Sequence, residues 1–208
     1  MVCTNYQTKK LRRNGETMSR GIIIFGSAGA GKTTLGKLVA KQLGYPYFDI
    51  DDYIWRKDTQ RPYTMMYSKE EKAGRLLHDI SEYEHFVMAG SMDSFHDPFD
   101  PLFDLAIHIT ADSAVRFERI QQRAINRFGE RILEGGDLYE GHQKFIESAM
   151  RYDTSDASPN LQTHLQWAST LPCKVLFIDG ADTLENNTTR IIEEYQIQKE
   201  LRNRKQEK

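Results

Sequence analysis

The chain has 208 residues, a mass of 24.1 kDa, a net charge of −2 and an isoelectric point of about 6.3. This length predicts one domain, and the balanced charge excludes the strong excess of one sign that is typical of nucleic-acid and membrane-surface binders. No apolar run approaches the ~18 residues of a membrane span, so we expect no membrane partner. The two cysteines, Cys3 and Cys173, lie far apart, and the N-terminus lacks an apolar leader, so we expect a cytoplasmic protein.

Residues 1–20 are polar and carry a basic cluster at 9–13. They contain no run that could bury a core face, so we expect a disordered tail, with Met18 as the natural start if residues 1–17 come from upstream. The alternative is a basic arm for an acidic partner. We expect the folded domain to span residues 21–202.

The strongest motif lies in residues 22–43. An apolar, β-branched run at 22–25 predicts a buried strand, and residues 26–33 match the phosphate-binding pattern G-x-x-x-x-G-K-[ST]. An amphipathic helix pattern follows at once, as phosphate binding requires; the alternative is an ordinary glycine-rich turn. The motif predicts that Lys32 reaches the β- and γ-phosphates of ATP and that Thr33 holds Mg²⁺. The predicted nucleotide-binding residues are Gly26, Ser27, Ala28, Gly29, Ala30, Gly31, Lys32, Thr33 and Thr34.

Residues 45–52 predict a second strand that ends in carboxylates. On an extended backbone Asp49 and Asp51 share a face, and the carboxyl end of a strand beside a phosphate loop is where open α/β sheets bind ligands. Asp49 is a candidate for Mg²⁺ or its waters, and Asp51 for a substrate hydroxyl, as acceptor or general base. The alternative is an acidic turn that caps the next helix.

We expect residues 53–84 to form the acceptor-binding region, because aromatic residues alternate there with arginines. The same residues could equally pack a small helical subdomain. A capping box at 68–71 predicts a helix, and Arg75, off its apolar stripe, is a candidate contact for a substrate anion or a solvated surface residue. A third strand is predicted to run into Gly90 and Ser91, whose small size permits a close approach to the phosphate site.

A fourth strand is predicted at 102–109, where His108 is expected to be a core-edge residue rather than a catalyst. The helix that follows carries arginines at a spacing of four, a stripe that repels itself and favours an anion such as phosphate. These arginines are Arg119, Arg123, Arg127 and Arg131. Residues 124–160 predict a lid, because glycines flank a short helix there. The alternative for the arginine stripe is a solvated basic face, and the alternative for residues 124–160 is an ordinary helical excursion.

A last strand is predicted at 174–179. Its four apolar residues before Asp179 imitate the strand that carries a magnesium-binding aspartate in some phosphate-loop proteins. We expect this strand to lie on the far side of the first strand from Asp49. The loop 179–182 is therefore better placed to border the nucleotide base.

These features together resemble the P-loop small-molecule kinases, which include the nucleoside monophosphate kinases and the shikimate and gluconate kinases. The Asp49-Ile-Asp51 pair resembles the D-x-D of shikimate kinase, whose first aspartate serves magnesium and whose second holds substrate. Arg123 matches the lid-entry arginine of such kinases, and Arg127 or Arg131 the lid arginines. Residues 127–145 are also similar to uncharacterised bacterial proteins described as adenylate-kinase-related. The D-G-F-P-R run of adenylate kinase itself is missing, which argues against AMP as the acceptor.

The resemblance implies an α/β, three-layer P-loop NTPase fold with a mainly parallel five-stranded sheet, a helical substrate-binding insertion and a lid. It implies a kinase that moves the γ-phosphoryl group of Mg-ATP to a small-molecule acceptor, either a nucleotide or a hydroxylated metabolite, with ATP and Mg²⁺ as cofactors and no nucleic-acid partner. The alternative is an ATP-binding regulatory module or an NTP hydrolase without an acceptor. The predicted catalytic residues are Lys32, Asp51, Arg123, Arg127 and Arg131, and the predicted metal ligands are Thr33 and Asp49.

Overall fold

The structure, a computed structural model, describes residues 18–154 and 159–206. The predicted tail lies outside these residues except for its last three. Arg20 already opens the first strand, and the Ser19 hydroxyl donates to the carbonyls of Ile80 (3.0 Å) and Tyr83 (2.7 Å). Ser19 and Arg20 therefore belong to the fold, although we expected the folded domain to start at residue 21.

Five strands form one sheet in the order β2-β3-β1-β4-β5, and every neighbouring pair is parallel. The strands are β1 (Arg20–Gly26), β2 (Tyr47–Asp49), β3 (His85–Ala89), β4 (Phe103–Thr110) and β5 (Lys174–Asp179). The predicted α/β fold with a mainly parallel five-stranded sheet is thus confirmed. The prediction that the last strand lies on the far side of β1 from Asp49 is also confirmed, since β2 and β5 are the two edges.

Helices connect and cover the strands. They are α1 (Lys32–Leu43), α2 (Asp51–Ile54), α3 (Lys69–Ile80), α4 (Ser113–Phe128), α5 (Tyr139–Met150), α6 (Leu161–Thr170) and α7 (Leu184–Gln206), with short 3-10 turns at Asp100–Leu102, Gly129–Ile132 and Arg151–Asp153. The predicted capping box at the start of α3 is present, with Ser68 and Glu71 bonding to each other's backbone N–H groups. None of the described helices combines the length and the apolar character that crossing a bilayer requires.

Side chains of β1 point alternately to the two faces of the sheet, and each face packs against its own layer of the core. Ile22 and Ile24 face a cluster that includes residues of α1 and α7, whereas Ile23 and Phe25 face a cluster that includes residues of α3 and α6. All four side chains are fully buried, as expected for a strand covered on both faces. The result is a helix–sheet–helix sandwich in which the carboxyl ends of all five strands meet at one edge, and the loops there form the candidate site.

Gly90, at the end of β3, has a conformation and surroundings that exclude a side chain. Its φ is +142°, and an added Cβ would lie 2.6 Å from Cβ of Ile50. We expect Gly90→Ala to lower the free energy of unfolding by about 1–3 kcal/mol, measured by urea denaturation. Gly74→Ala is the matched control, because Gly74 lies inside α3 with open space around it, and we expect a gain of about 0.5–1 kcal/mol there. Equal effects at the two positions would contradict the steric argument.

Candidate active site

The loop between β1 and α1 has the geometry of an anion site. Gly26, Gly29 and Gly31 have φ of +138°, +80° and +107°, values that L side chains rarely adopt, so these positions require glycine. The helix α1 begins at Lys32 with no side-chain cap, which leaves its first N–H groups directed at the loop. Lys32 Nζ donates to the carbonyl oxygens of Gly26 (2.9 Å) and Ser27 (2.8 Å). Its contact with phosphates stays a prediction.

The start of α4 supports this loop from behind. An added Cβ on Gly29 would lie 2.6 Å from the Arg116 carbonyl oxygen, so the two backbones touch. The Arg119 guanidinium donates to the carbonyls of Ala30 (3.4 Å) and Gly180 (3.0 Å). Arg119 was predicted to belong to a phosphate-facing stripe, and it instead ties the phosphate loop to the loop after β5.

The predicted metal ligands lie around the hydroxyl of Tyr47. This hydroxyl donates to Asp49 Oδ2 (3.4 Å) and contacts the Thr33 side chain, so residues from β2 and α1 converge there. Burial, and next the charge of Asp51, raises the pKa of Asp49. A hydroxyl and a carboxylate are the oxygen donors that Mg²⁺ takes together with phosphates and water, so the residues present fit this ion. Their assignment as ligands remains a prediction.

The backbone argument for Asp49 and Asp51 was wrong in one respect. The strand ends at Asp49, Ile50 is helical (φ −63°, ψ −30°), and α2 starts at Asp51. The two carboxylates therefore do not share the face of an extended strand, and the Asp51 N–H donates to Asp49 Oδ1 (3.2 Å). The acidic turn that we considered as an alternative does open a helix, and its N-cap residue Ile50 supplies no side-chain bond.

Several charged groups act on the side chain of Lys32. Burial lowers the pKa of Lys32 to about 8, and the positive charge of Arg123 lowers it further. The negative charges of Asp51, Asp49 and Asp93 raise this pKa and so offset part of the effect. These groups come from α1, the β2–α2 turn, the loop after β3 and α4. The charges of Asp49, Asp51 and Arg123, all predicted as site residues, thus act on Lys32 in the folded chain.

The other two predicted catalytic arginines have local partners. Arg127 donates to the Tyr63 hydroxyl and lies over the Tyr63 ring, 5.3 Å from its centroid. Arg131 lies beyond α4, in the 3-10 turn Gly129–Ile132, and forms a bidentate pair with Asp137 (2.9 and 2.8 Å). The helix ends at Phe128, as predicted, so the four arginines do not form one continuous stripe.

In the predicted acceptor region, 53–84, the structure shows packing contacts, and the binding of an acceptor there stays a prediction. The Tyr53 hydroxyl donates to Asp79 (2.7 Å), a packing contact between α2 and α3. Arg56 and Arg75 both lie near the ring of Tyr67, at 5.4 and 4.1 Å from its centroid. Arg75 is exposed, so the structure places it over an aromatic ring with part of its guanidinium available to a ligand.

Sequence reasoning missed Arg116. Its side chain is fully buried on α4, donates to the Ala149 carbonyl (3.1 Å), pairs with Asp153 and lies 5.5 Å from the Tyr152 ring centroid. It therefore joins α4 to the turn that follows α5. The spacing of the other arginines drew attention to one face of this helix, and nothing in the sequence marked Arg116 as buried.

His108 is a buried core residue, as predicted, with 2% of its surface exposed. Burial, and then the neighbouring His164 and Lys32, lower the pKa of His108 from 6.5 to about 4.

This shift predicts a pH-dependent stability. Because the unfolded chain binds the His108 proton more readily than the folded chain does, the free energy of unfolding should fall as the pH drops from 6.5 to 4. The loss attributable to His108 is at most about 3 kcal/mol. We expect denaturation across this range to show a shallower loss in His108→Gln, and identical profiles for the two proteins would contradict the assignment.

The loop after β5 lies against the phosphate loop. The Gly180 N–H donates to the Thr110 carbonyl (2.6 Å), and Gly180 packs so closely on Ala30 that a side chain would collide with its carbonyl oxygen. Asp179 accepts from the Ala181 N–H (2.8 Å) at an edge strand. Asp179 therefore ends an edge strand and not a central one, and the role of 179–182 beside the nucleotide base stays a prediction.

Comparisons with known proteins bear on this site. The family model for shikimate kinase matches residues 28–96, which include most of the phosphate loop, Asp49, Asp51 and Asp93. The chain is 28% identical over 177 residues to the uncharacterized protein YqaC of Bacillus subtilis, across 85% of this chain and 97% of that protein. It is 31% identical over 117 residues to a shikimate kinase of Bacteroides fragilis, across 50% of this chain and 65% of that protein.

A solved structure is also similar. The deoxyadenosine kinase from M. mycoides with bound dATP aligns with a TM-score of 0.48 and 18% identity, across 84% of this chain and 98% of that chain. The predicted resemblance to the P-loop small-molecule kinases is confirmed by the family model and the curated relatives.

Proposed function

We propose that this chain, a P-loop protein similar to shikimate and nucleoside monophosphate kinases, is an ATP-dependent phosphotransferase. It moves the γ-phosphoryl group of Mg-ATP to a hydroxyl group of a small-molecule acceptor. The observation that carries the proposal is the convergence on Lys32 of two carboxylates, Asp49 and Asp51, and one arginine, Arg123, around a glycine-rich helix N-terminus. We place the activity in the cytoplasm, where Mg-ATP and metabolites are available.

On the nucleotide side, the backbone N–H groups of residues 26–34 hold the phosphates and Lys32 contacts the β- and γ-phosphate oxygens. Thr33 and Asp49 hold Mg²⁺, which neutralises phosphate charge when it is bound. The base lies towards the loop 179–182. The closeness of this loop to Ala30 and the bridge made by Arg119 support that direction.

On the acceptor side, Asp51 accepts a hydrogen bond from the attacking hydroxyl. The acceptor oxygen bonds to the γ-phosphorus, the bond from that phosphorus to the β–γ bridging oxygen breaks, and Asp51 receives the hydroxyl proton. Arg123 stabilises charge on the transferred group, because a guanidinium matches phosphoryl oxygens bidentately. Residues 53–84 determine which acceptor binds. The lid 124–160, with Arg127 and Arg131, excludes water from the transferred group.

The test is ADP release from Mg-ATP across a panel of nucleosides, nucleoside monophosphates, shikimate, gluconate and sugars. We expect one acceptor class to raise the rate well above the rate with water alone. A flat panel, with ATP binding confirmed by calorimetry, would favour an ATP-binding regulatory module instead. Rapid ADP release without any acceptor would favour an NTP hydrolase.

A further inference from the structure

A chain of hydrogen bonds runs from the interior to the candidate site. His108 Nε2 lies 3.0 Å from the Tyr152 hydroxyl, this hydroxyl lies 2.7 Å from His164 Nδ1, and His164 Nε2 lies 3.1 Å from Asp93 Oδ1. The four residues come from β4, the turn after α5, α6 and the loop after β3. They are far apart in sequence, and the fold alone brings them together.

The chemistry of the last pair fixes the direction of its hydrogen bond. An ionised carboxylate only accepts hydrogen bonds, so His164 carries its proton on Nε2 and donates to Asp93. The Tyr152 hydroxyl lies between His164 Nδ1 and His108 Nε2, so it donates to one of the two rings and accepts from the other. Each link is satisfied by one proton, and in the link to Asp93 the donor is His164.

The solvent exposure of the side chains changes sharply along this series of hydrogen bonds. His108, Tyr152 and His164 are 2%, 3% and 1% exposed, whereas the Asp93 side chain is 34% exposed. A polar network in the core is costly unless all its members are paired, and here the pairing leads to a single accessible carboxylate. Asp93 lies in the loop after β3, at the carboxyl edge of the sheet where the candidate site lies, and its charge acts on Lys32.

The contact with His164 also determines what Asp93 offers to a ligand. His164 Nε2 engages Oδ1, which leaves Oδ2 to accept from another donor. The same Nε2 lies 3.3 Å from the Ser91 hydroxyl oxygen, so the Ser91 proton is available to a ligand acceptor. Because Asp93 and Ser91 both contact His164 Nε2, the pair presents one acceptor and one donor side by side.

We propose that Asp93 is a second acceptor-binding carboxylate beside Asp51, and that His164 is the positioning residue that holds it. Asp93 accepts a hydrogen bond from a hydroxyl of the acceptor other than the attacking one. The acceptor therefore carries at least two hydroxyl groups. This inference rests on the proposed function and adds to it a residue that orients the acceptor.

The test compares KM for the acceptor with KM for ATP, using shikimate, gluconate and deoxyadenosine as probes at saturating Mg-ATP. With the probe that the native protein phosphorylates, we expect Asp93→Asn to raise KM for the acceptor at least about tenfold, the size of a charged hydrogen bond. KM for ATP should stay within about twofold. Asp97→Asn, an exposed acid on the same loop, is the matched control and should change neither value.

Two replacements of His164 separate positioning from packing. A glutamine amide can reach where Nε2 lies and donate to Asp93, whereas an asparagine amide reaches only where Nδ1 lies. We expect His164→Asn to reproduce the KM defect and His164→Gln to restore most of the native acceptor KM. Native KM values in Asp93→Asn, or equal defects in the two His164 variants, would overturn the inference while the proposed function stands. A native protein that phosphorylates none of the three probes nor any panel member would overturn the proposed function, and this inference with it.

Discussion

Lys32→Ala should reduce phosphoryl transfer by at least about a hundredfold to a thousandfold, the loss seen when one preorganised group that stabilises transition-state charge is removed. Lys32 is the only side chain of the phosphate loop that carries a full positive charge. Burial has already lowered its pKa, so a bound polyphosphate would both hold the charged form and be held by it. The measurement is acceptor-dependent ADP release at saturating ATP.

Two comparisons make this result interpretable. Lys41→Ala, an exposed lysine in the last turn of the same helix, should leave turnover near the native value. Thermal unfolding of Lys32→Ala should stay close to that of the native protein, although Lys32 Nζ bonds to the carbonyls of Gly26 and Ser27. Native-like turnover in Lys32→Ala would remove the central assumption of the kinase proposal.

Sequence reasoning found those parts of the candidate site whose signal lies within one short segment of the chain. The phosphate loop, its lysine and the apolar strand before it are contiguous, so a spacing pattern is enough to place them. The five parallel strands follow from apolar runs that alternate with helical periodicity. Asp49 and Asp51 were found because they end such a run, although the helical turn at Ile50 shows that an acidic pair need not share an extended backbone.

The parts that sequence reasoning missed depend on contacts between distant segments. Asp93 and His164 are 71 positions apart, and each looks ordinary in its own segment, a polar loop and a helix. Arg119 and Arg123 are one helical turn apart, yet Arg119 binds loop carbonyls whereas the charge of Arg123 acts on Lys32. Periodicity gives the face of a helix and not its distance from a neighbouring loop, so it could not separate these roles.

Arg123→Ala should lower turnover by about a hundredfold or more, and the same change at Arg131 should have a much smaller effect. Arg127 and Arg131 each have a partner, Tyr63 and Asp137 respectively. Within residues 18–154 and 159–206, Arg123 has no hydrogen-bond or salt-bridge partner, and its charge acts on Lys32. Of the three predicted catalytic arginines, Arg123 is therefore the one that we expect to serve the transferred group.

The two arginine variants form their own control, since both remove one exposed guanidinium from the same stretch of chain. We expect the loss in Arg123→Ala to appear in kcat, with KM for ATP little changed, because the interaction belongs to the transition state. A larger loss in Arg131→Ala would mean that Arg131 leaves Asp137 and reaches the phosphates when substrates bind. Asp137→Asn would then raise turnover, because it weakens the pair that holds Arg131 away. If Arg123 is the group that stabilises the transferred phosphoryl, Asp137→Asn should leave turnover unchanged. The three variants together therefore show which arginine takes part in the transfer.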